Sequence, residues 1–219
     1  MEDRIERASQ MYERAVFAGD GSGLETAERG LNAVEADVAV ARGRLMHARY
    51  LQQRDQGQHD RSTDPDELVL FERAIELYRA LGDVRGEGEA LFWVGAFHQV
   101  VRRDDGAAVP VLERAGELAR AAGDPLTVSY VLRHLGIAEH AAGRLEAARE
   151  HLEESTRIRR EIGFLPGIAA NLVGLAYIAA GQGRDGDART LIEEAGALAK
   201  HEAQGILPQV EEARVALTR

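Results

Sequence analysis

The chain has 219 residues, of which 45% are hydrophobic and only 5% aromatic, a composition that favours a globular, helix-rich protein. Its 37 acidic residues outnumber the 27 basic ones and give a net charge of −10, which disfavours binding to a nucleic-acid backbone. There is no cysteine, so disulfides, thiolate nucleophiles and cysteine-based metal sites are excluded.

The N-terminal segment, residues 1–36, has no clear motif but is compatible with one divergent helical hairpin. Its start is charged throughout and lacks the apolar core of a signal peptide. The longest apolar stretch, residues 168–180, is shorter than the roughly 20 residues that a membrane helix needs. These features predict a cytoplasmic protein without a membrane span.

Residues 37–204 contain a repeat. Four similar segments begin at residues 71, 112, 152 and 192, and they read FERAIELYRALGD, LERAGELARAAGD, LEESTRIRREIGF and IEEAGALAKHEAQ. Each is preceded by another segment with helical spacing of its apolar residues, at 41–55, 90–105, 131–144 and 169–184. Glycines and an Asp124-Pro125 pair stand where helices should end and begin. The pattern predicts helix, turn, helix, turn in every unit.

The last segment, residues 205–219, carries Val210, Ala213 and Leu217 at helical spacing and predicts a capping helix. The sequence therefore predicts a single all-α domain over residues 1–219, with about five helical hairpins plus this cap.

Small residues inside the repeats indicate a family. One unit contains a Leu-Gly pair followed by a glycine turn and two small residues, at Leu135-Gly136, Gly143, Ala148 and Ser155. The next unit begins a similar set with Val173-Gly174. On these residues the chain resembles the tetratricopeptide repeat (TPR) family. The spacing of about 40 residues, rather than the usual 34, resembles the long repeats of bacterial regulators and kinesin light chains. The resemblance implies a right-handed α-α superhelix, a TPR-like solenoid.

The family resemblance also implies a binding groove lined by the first helix of each hairpin. The predicted partner-binding residues are Tyr50, Phe92, Gln99, Tyr130, Arg133, His140, Asn171 and Leu175, and the same register adds His47, Ala96, Ile137 and Ile178. Such a groove suits a peptide with apolar anchors and one acidic group for Arg133. The alternative places the aromatic residues in the core and Leu175 and Ile178 beneath the capping helix. The Lys/Asn/Arg clamp of chaperone-binding members is not present at these positions.

Nothing in the sequence predicts catalysis. None of the seven histidines has metal-ligand spacing, and the many carboxylates alternate with arginines as on solvated helix faces. The segment 181–186 has the letters of a dinucleotide loop, but a predicted helix precedes it where a strand is needed. We therefore expect no catalytic residues, no metal and no cofactor.

The predicted function is that of a non-catalytic scaffold that binds a protein or peptide in its concave groove. The alternative is a ligand- or peptide-sensing regulatory domain that acts with a separate effector protein. The exposed ends of such a stack also allow a homodimer.

Overall fold

The computed structural model describes residues 2–56 and 64–217, and every regular element in these two stretches is helical. The prediction of an all-α chain of consecutive hairpins is therefore confirmed. Residues 57–63 of the predicted repeat region and 218–219 of the predicted cap lie outside the described residues. In chain order the helices are α1 (Glu2–Ala18), α2 (Leu24–Asp55), α3 (Asp64–Leu81), α4 (Val84–Val100), α5 (Asp105–Ala121), α6 (Pro125–Ala141), α7 (Leu145–Glu161), α8 (Leu165–Gly181), α9 (Asp185–Glu202) and α10 (Leu207–Leu217), with a 3₁₀ turn at Gln204–Ile206.

The turns between helices are short and depend on glycine. Gly143 has a φ of 75°, in the left-handed region that other residues rarely adopt, and the N–H of the next residue, Arg144, donates to the Glu139 carbonyl oxygen at 2.9 Å. The turn after α5 continues into an N-cap, because the Asp124 side chain accepts a hydrogen bond from the Thr127 N–H at 3.2 Å. These signals end and restart the helices where the sequence predicts.

The glycine-rich segment 181–186 is such a turn. The helix α8 ends at Gly181 and α9 begins at Asp185, so the segment joins two helices. The interpretation of this segment as a hairpin turn is confirmed, since a dinucleotide loop requires a preceding strand.

The chain divides into two compact units, residues 1–111 and 112–219. In the first unit α1 packs on α2, α2 on α3 and α3 on α4. Phe71 and Ala74 of α3 are fully buried in its core. A Cβ atom on Gly43 of α2 would lie 2.5 Å from the Phe71 ring, so glycine at this position allows the two helices to approach closely.

The helix α2 differs from the expected organisation of the N-terminal region. It runs for 32 residues without interruption, across the expected border between residues 36 and 37. Its two glycines, Gly30 and Gly43, lie inside the continuous helix, and it contains no proline. The same helix therefore packs against both α1 and α3, and the N-terminal hairpin does not end at residue 36.

In the second unit α6 packs on α7, α7 on α8 and α8 on α9. Leu152, Leu172 and Ile192 belong to its main apolar cluster. The final helix α10 packs on α8 and α9, and its residues Val210 and Ala213 are fully buried in that cluster. The predicted capping helix is thus present, whereas the grouping of the whole chain into one domain stays a prediction.

Candidate functional site

The predicted groove residues of the first unit are all buried: His47, Tyr50, Phe92, Ala96 and Gln99. The Tyr50 hydroxyl donates to a backbone carbonyl oxygen of α4 at 3.3 Å, and the Gln99 side-chain amide donates to Asp105 at 2.8 Å. Phe92 packs edge-on against Trp93, with ring centroids 5.1 Å apart. These side chains contribute to packing, and their role in partner binding stays a prediction.

The predicted groove residues of α8 are buried as well. Leu175 and Ile178 lie in the apolar cluster that includes residues of α10, and Asn171 is fully buried. The partly exposed residues of α8 include the positions immediately before these three, which are Ala170, Gly174 and Tyr177. The side of α8 that the register assigns to the groove thus lies inside the second unit.

The predicted residues of α6 remain accessible. Tyr130 and Arg133 are partly exposed, while Ile137 is 38% exposed and His140 is exposed. Their spacing of three or four residues places them along one face of the helix. We call this face, defined by Tyr130, Arg133, Ile137 and His140, the α6 face.

Beneath the α6 face lies a buried polar network centred on Asn171. Its side-chain oxygen accepts hydrogen bonds from Arg133 Nη1 at 3.1 Å and from Arg159 Nη1 at 2.8 Å. Its amide nitrogen donates to the hydroxyls of Ser155 at 2.9 Å and Thr156 at 3.1 Å. Since guanidinium groups only donate, these partners fix the orientation of the amide. Asn171 therefore joins α8 to both α6 and α7.

The two arginines are held by neutral acceptors. Arg133 Nη1 also donates to the Ala170 carbonyl oxygen at 2.9 Å, and Arg159 Nη1 donates to the Gly167 carbonyl oxygen at 2.7 Å. Within the described residues neither arginine pairs with a carboxylate, and Arg159 Nη2 is buried without a protein acceptor. The site therefore carries two positive charges that no carboxylate of the described residues 112–217 neutralises.

The surroundings of Arg159 lower its pKa. The side chain is 1% exposed, and burial together with the nearby Arg133 charge lowers the pKa of Arg159 to about 9. Burial likewise lowers the pKa of Arg133 to about 10. Both groups are still cationic at neutral pH, so the protein bears the cost of two desolvated charges.

Two aromatic rings face the Arg159 guanidinium. Its Cζ atom lies 5.1 Å from the centre of the Tyr130 ring and 5.4 Å from that of Phe164, distances that suit cation–π attraction. Gly167 makes this packing possible, since a Cβ atom there would lie 2.5 Å from the Phe164 ring and 2.8 Å from Arg159 Cδ. The turn before α8 thus brings Phe164 against the arginine.

Reasoning from the sequence misses Arg159 and Phe164. Arginines on α7 look like members of a solvated face, and Arg149 and Arg157 do each pair with two glutamates. A signal existed nonetheless, because Arg159 follows Leu152 by seven residues and Ser155 by four, and both of these are buried. A charged residue in phase with a buried stripe indicates a buried charge.

The described residues were also compared with the requirements of a metal site, a membrane span and acid–base chemistry. No group of three or more histidines, aspartates or glutamates is arranged to hold a metal ion within residues 2–56 and 64–217. Across the same residues, no helix is both long and apolar enough to cross a membrane. The Asn171 network also contains no general acid or base near neutral pH, since its ionisable groups are two arginines.

Comparisons with known proteins agree with this architecture. The sequence profile of the tetratricopeptide repeat family matches residues 127–201, which include most of α6 and all of α7 and α8. A solved structure from Podosopora anserina, described as a kinesin light chain with nearly identical TPR-like repeats, is similar at a TM-score of 0.53 and 18% identity, covering 82% of this chain and 98% of the other. A single-substitution variant of that fungal protein gives a TM-score of 0.53 and 16% identity, covering 82% and 94%. None of the curated protein sequences matches the chain significantly.

Residues 127–201 therefore match the tetratricopeptide repeat family, and the fold of the chain is TPR-like. The matched repeats contain the α6 face and every member of the Asn171 network. The resemblance of the chain to the fungal repeats, at 18% identity, concerns the fold. The likeness in fold does not extend to the two-arginine site, which depends on the chain's own residues.

Proposed function

We propose that this protein is a non-catalytic scaffold that binds a partner polypeptide on the α6 face. TPR folds generally serve as protein–protein interaction scaffolds, which gives the class of function. The particular face is supported by one observation: Arg133 is partly exposed and carries a positive charge that no carboxylate of the described residues neutralises. A partner that supplies an acceptor there gains a charge-assisted hydrogen bond.

The other residues of the α6 face fit the same role. Tyrosine and arginine are enriched at the centres of protein interfaces, and Tyr130 lies one turn from Arg133. Ile137, one turn further, exposes an aliphatic surface for an apolar anchor. His140 extends the face by nearly another turn. In this proposal Asn171 positions Arg133 and does not contact the partner.

The proposal includes the expectations about setting. The net charge of −10 supports a polypeptide partner over nucleic acid, and the lack of cysteine is compatible with a cytoplasmic location. Association into a homodimer belongs to the proposal too, and light scattering at two protein concentrations tests it separately.

Site-specific photo-cross-linking tests the docking face. Benzoylphenylalanine replaces Ile137 in one variant and Glu150 in a control, because Glu150 is exposed on α7 and does not belong to the α6 face. Irradiation in the native host should give a defined cross-linked species from position 137 and not from position 150. Adding Arg133→Glu should remove that species while the circular dichroism spectrum is unchanged. Identical products from both positions, or none from position 137, would contradict the proposal.

A further inference from the structure

The Asn171 network has a charge imbalance that its own residues do not resolve. Two guanidinium groups donate to one amide oxygen, at 3.1 and 2.8 Å, so like charges are held close together. The remaining acceptors are two backbone carbonyls and the Ser129 hydroxyl, at 2.9, 2.7 and 3.3 Å. All of these are neutral. Repulsion between the arginines and the loss of hydration both raise the free energy of the unliganded site.

The network also retains unused donors. Within the part of the chain that the structure describes, Arg159 Nη2 donates to no protein acceptor, and the residue is only 1% exposed. Arg133 uses Nη1 alone within the described residues, so its Nε and Nη2 hydrogens remain for another acceptor on the partly exposed side of α6. Arginine presents its donors as a planar edge, which matches the two oxygens of a carboxylate.

We infer that the α6 face contains a carboxylate-binding site, in which Arg133 donates directly to an acidic side chain of the partner polypeptide and Arg159 supplies a second positive charge beneath it. This inference rests on the proposed function, because it names the chemistry of the partner that docks there. Asn171 and Ser129 are positioning residues, which hold the two guanidinium groups at the distances given above.

The residue type at position 171 supports an external anion. An aspartate at this position would place a carboxylate within hydrogen-bond distance of both arginines and neutralise one of their two positive charges internally. The chain has an asparagine there, whose amide nitrogen serves Ser155 and Thr156 and whose oxygen carries no net charge. The positive charge is thus left available to a ligand.

A carboxylate fits better than a larger anion. The chain is strongly acidic overall, which opposes the approach of a polyanion, and Arg133 is the partly exposed arginine of the pair. Tyr130 and Ile137 flank Arg133 on the same face, each about one turn away, or about 6 Å. The matching partner segment therefore carries an acidic side chain next to an aliphatic one.

The test compares two capped peptides that differ only in charge, acetyl-Leu-Glu-Leu-Leu-Glu-Leu-amide and the same sequence with glutamine for glutamate. Titrations follow the backbone amides of α6 and the Nε–Hε signals of arginine by NMR. For the unmodified protein we expect the glutamate peptide to bind at least about tenfold more tightly, with shifts at Arg133. Equal affinity for the two peptides overturns the inference.

Three variants sharpen the test. Arg133→Gln, at a partly exposed position, and Asn171→Asp, which supplies an internal carboxylate, should each bring the two peptides to the same affinity. Arg157→Gln removes an arginine from the solvated side of α7 and should keep the preference. A preference that survives in both Arg133→Gln and Asn171→Asp overturns the assignment, as does displacement of the glutamate peptide by an equal concentration of inorganic phosphate.

The carboxylate assignment and the docking proposal can fail independently of each other. If position 137 still cross-links its partner in the Asn171→Asp variant, the α6 face is a docking surface but the carboxylate assignment is wrong. If the glutamate preference holds while position 137 gives no cross-link, the carboxylate site stands and the proposed scaffold function fails.

Discussion

Replacing Arg159 by methionine tests whether the buried guanidinium supports the fold or is retained for binding. Methionine has a similar length, is apolar, and makes favourable contacts between its sulfur and aromatic rings. It would therefore fill most of the volume against Tyr130 and Phe164 without a charge. The Asn171 side-chain oxygen would still accept a hydrogen bond from Arg133.

The opposing contributions can be compared from the contacts. Taking the charged Arg159 side chain out of water costs several kcal/mol, and the nearby Arg133 charge adds to this cost, as the lowered pKa of Arg159 indicates. Its hydrogen bonds to Gly167, Asn171 and Ser129 offset about 3 kcal/mol of this cost. The two ring contacts offset about 1 to 2 kcal/mol more. The terms nearly cancel, so we expect Arg159→Met to change the free energy of unfolding by less than about 1 kcal/mol.

Urea unfolding followed by far-UV circular dichroism measures this difference. Arg157→Met is the matched control, since Arg157 is exposed on the same helix and should change stability by no more than about 0.5 kcal/mol. A loss of more than about 3 kcal/mol in Arg159→Met would refute the reasoning, because it would show that the guanidinium is a structural link between α7 and α8. Near-neutral stability with lost peptide preference would support retention for binding.

Four further substitutions give separate expectations. Asn171→Ala should lower the free energy of unfolding by about 3 kcal/mol in urea, because two charge-assisted hydrogen bonds are lost and two guanidinium groups then face each other. A loss no larger than that of Arg159→Met would contradict this expectation. Gly86→Ala should destabilise by about 1 to 3 kcal/mol, since its Cβ would lie 2.5 Å from the Tyr78 ring, whereas Gly30→Ala, with nothing within 4 Å, should stabilise by up to about 1 kcal/mol. Burial lowers the pKa of His98 below 6.5, so the folded protein resists protonation there while the unfolded chain accepts it. Stability should therefore fall as the pH drops below 6.5, by a smaller amount in His98→Gln, and NMR titration of the ring should give the lowered value.

The repeat and its turns could be predicted because their causes are local. A glycine in the left-handed region, or an aspartate before a proline, ends or begins a helix through its own hydrogen bonds, as Gly143 and Asp124 do. The long helix α2 was harder to predict, since its charged and alanine-rich sequence gives no positive signal for continuity across residue 36. Its length becomes visible only in the packing against α1 and α3.

Among the predicted groove residues, those of α6 are accessible in the structure, whereas those of α8 are buried. The register on α8 depends on which side of that helix α9 and α10 cover, and this follows from tertiary packing around Val210 and Ala213. The burial of Arg159 was not predicted, because the other arginines of α7 are typical of a solvated helix face, where Arg149 and Arg157 form salt bridges. The spacing of Arg159 from the buried residues Leu152 and Ser155 does indicate burial. The sequence does not indicate, however, that the buried arginine lacks a carboxylate partner.

The glycine turns have a consequence for how such a gene can change. Gly143 and Gly183 are 40 residues apart, have φ values of 75° and 73°, and each is followed by an arginine. An in-frame deletion or duplication of the 40 codons between them would rejoin the chain at a turn with the same backbone and the same next residue. Recombination at these points would therefore remove or add a whole pair of helices without creating a new junction, so array length can evolve in steps while each turn stays intact.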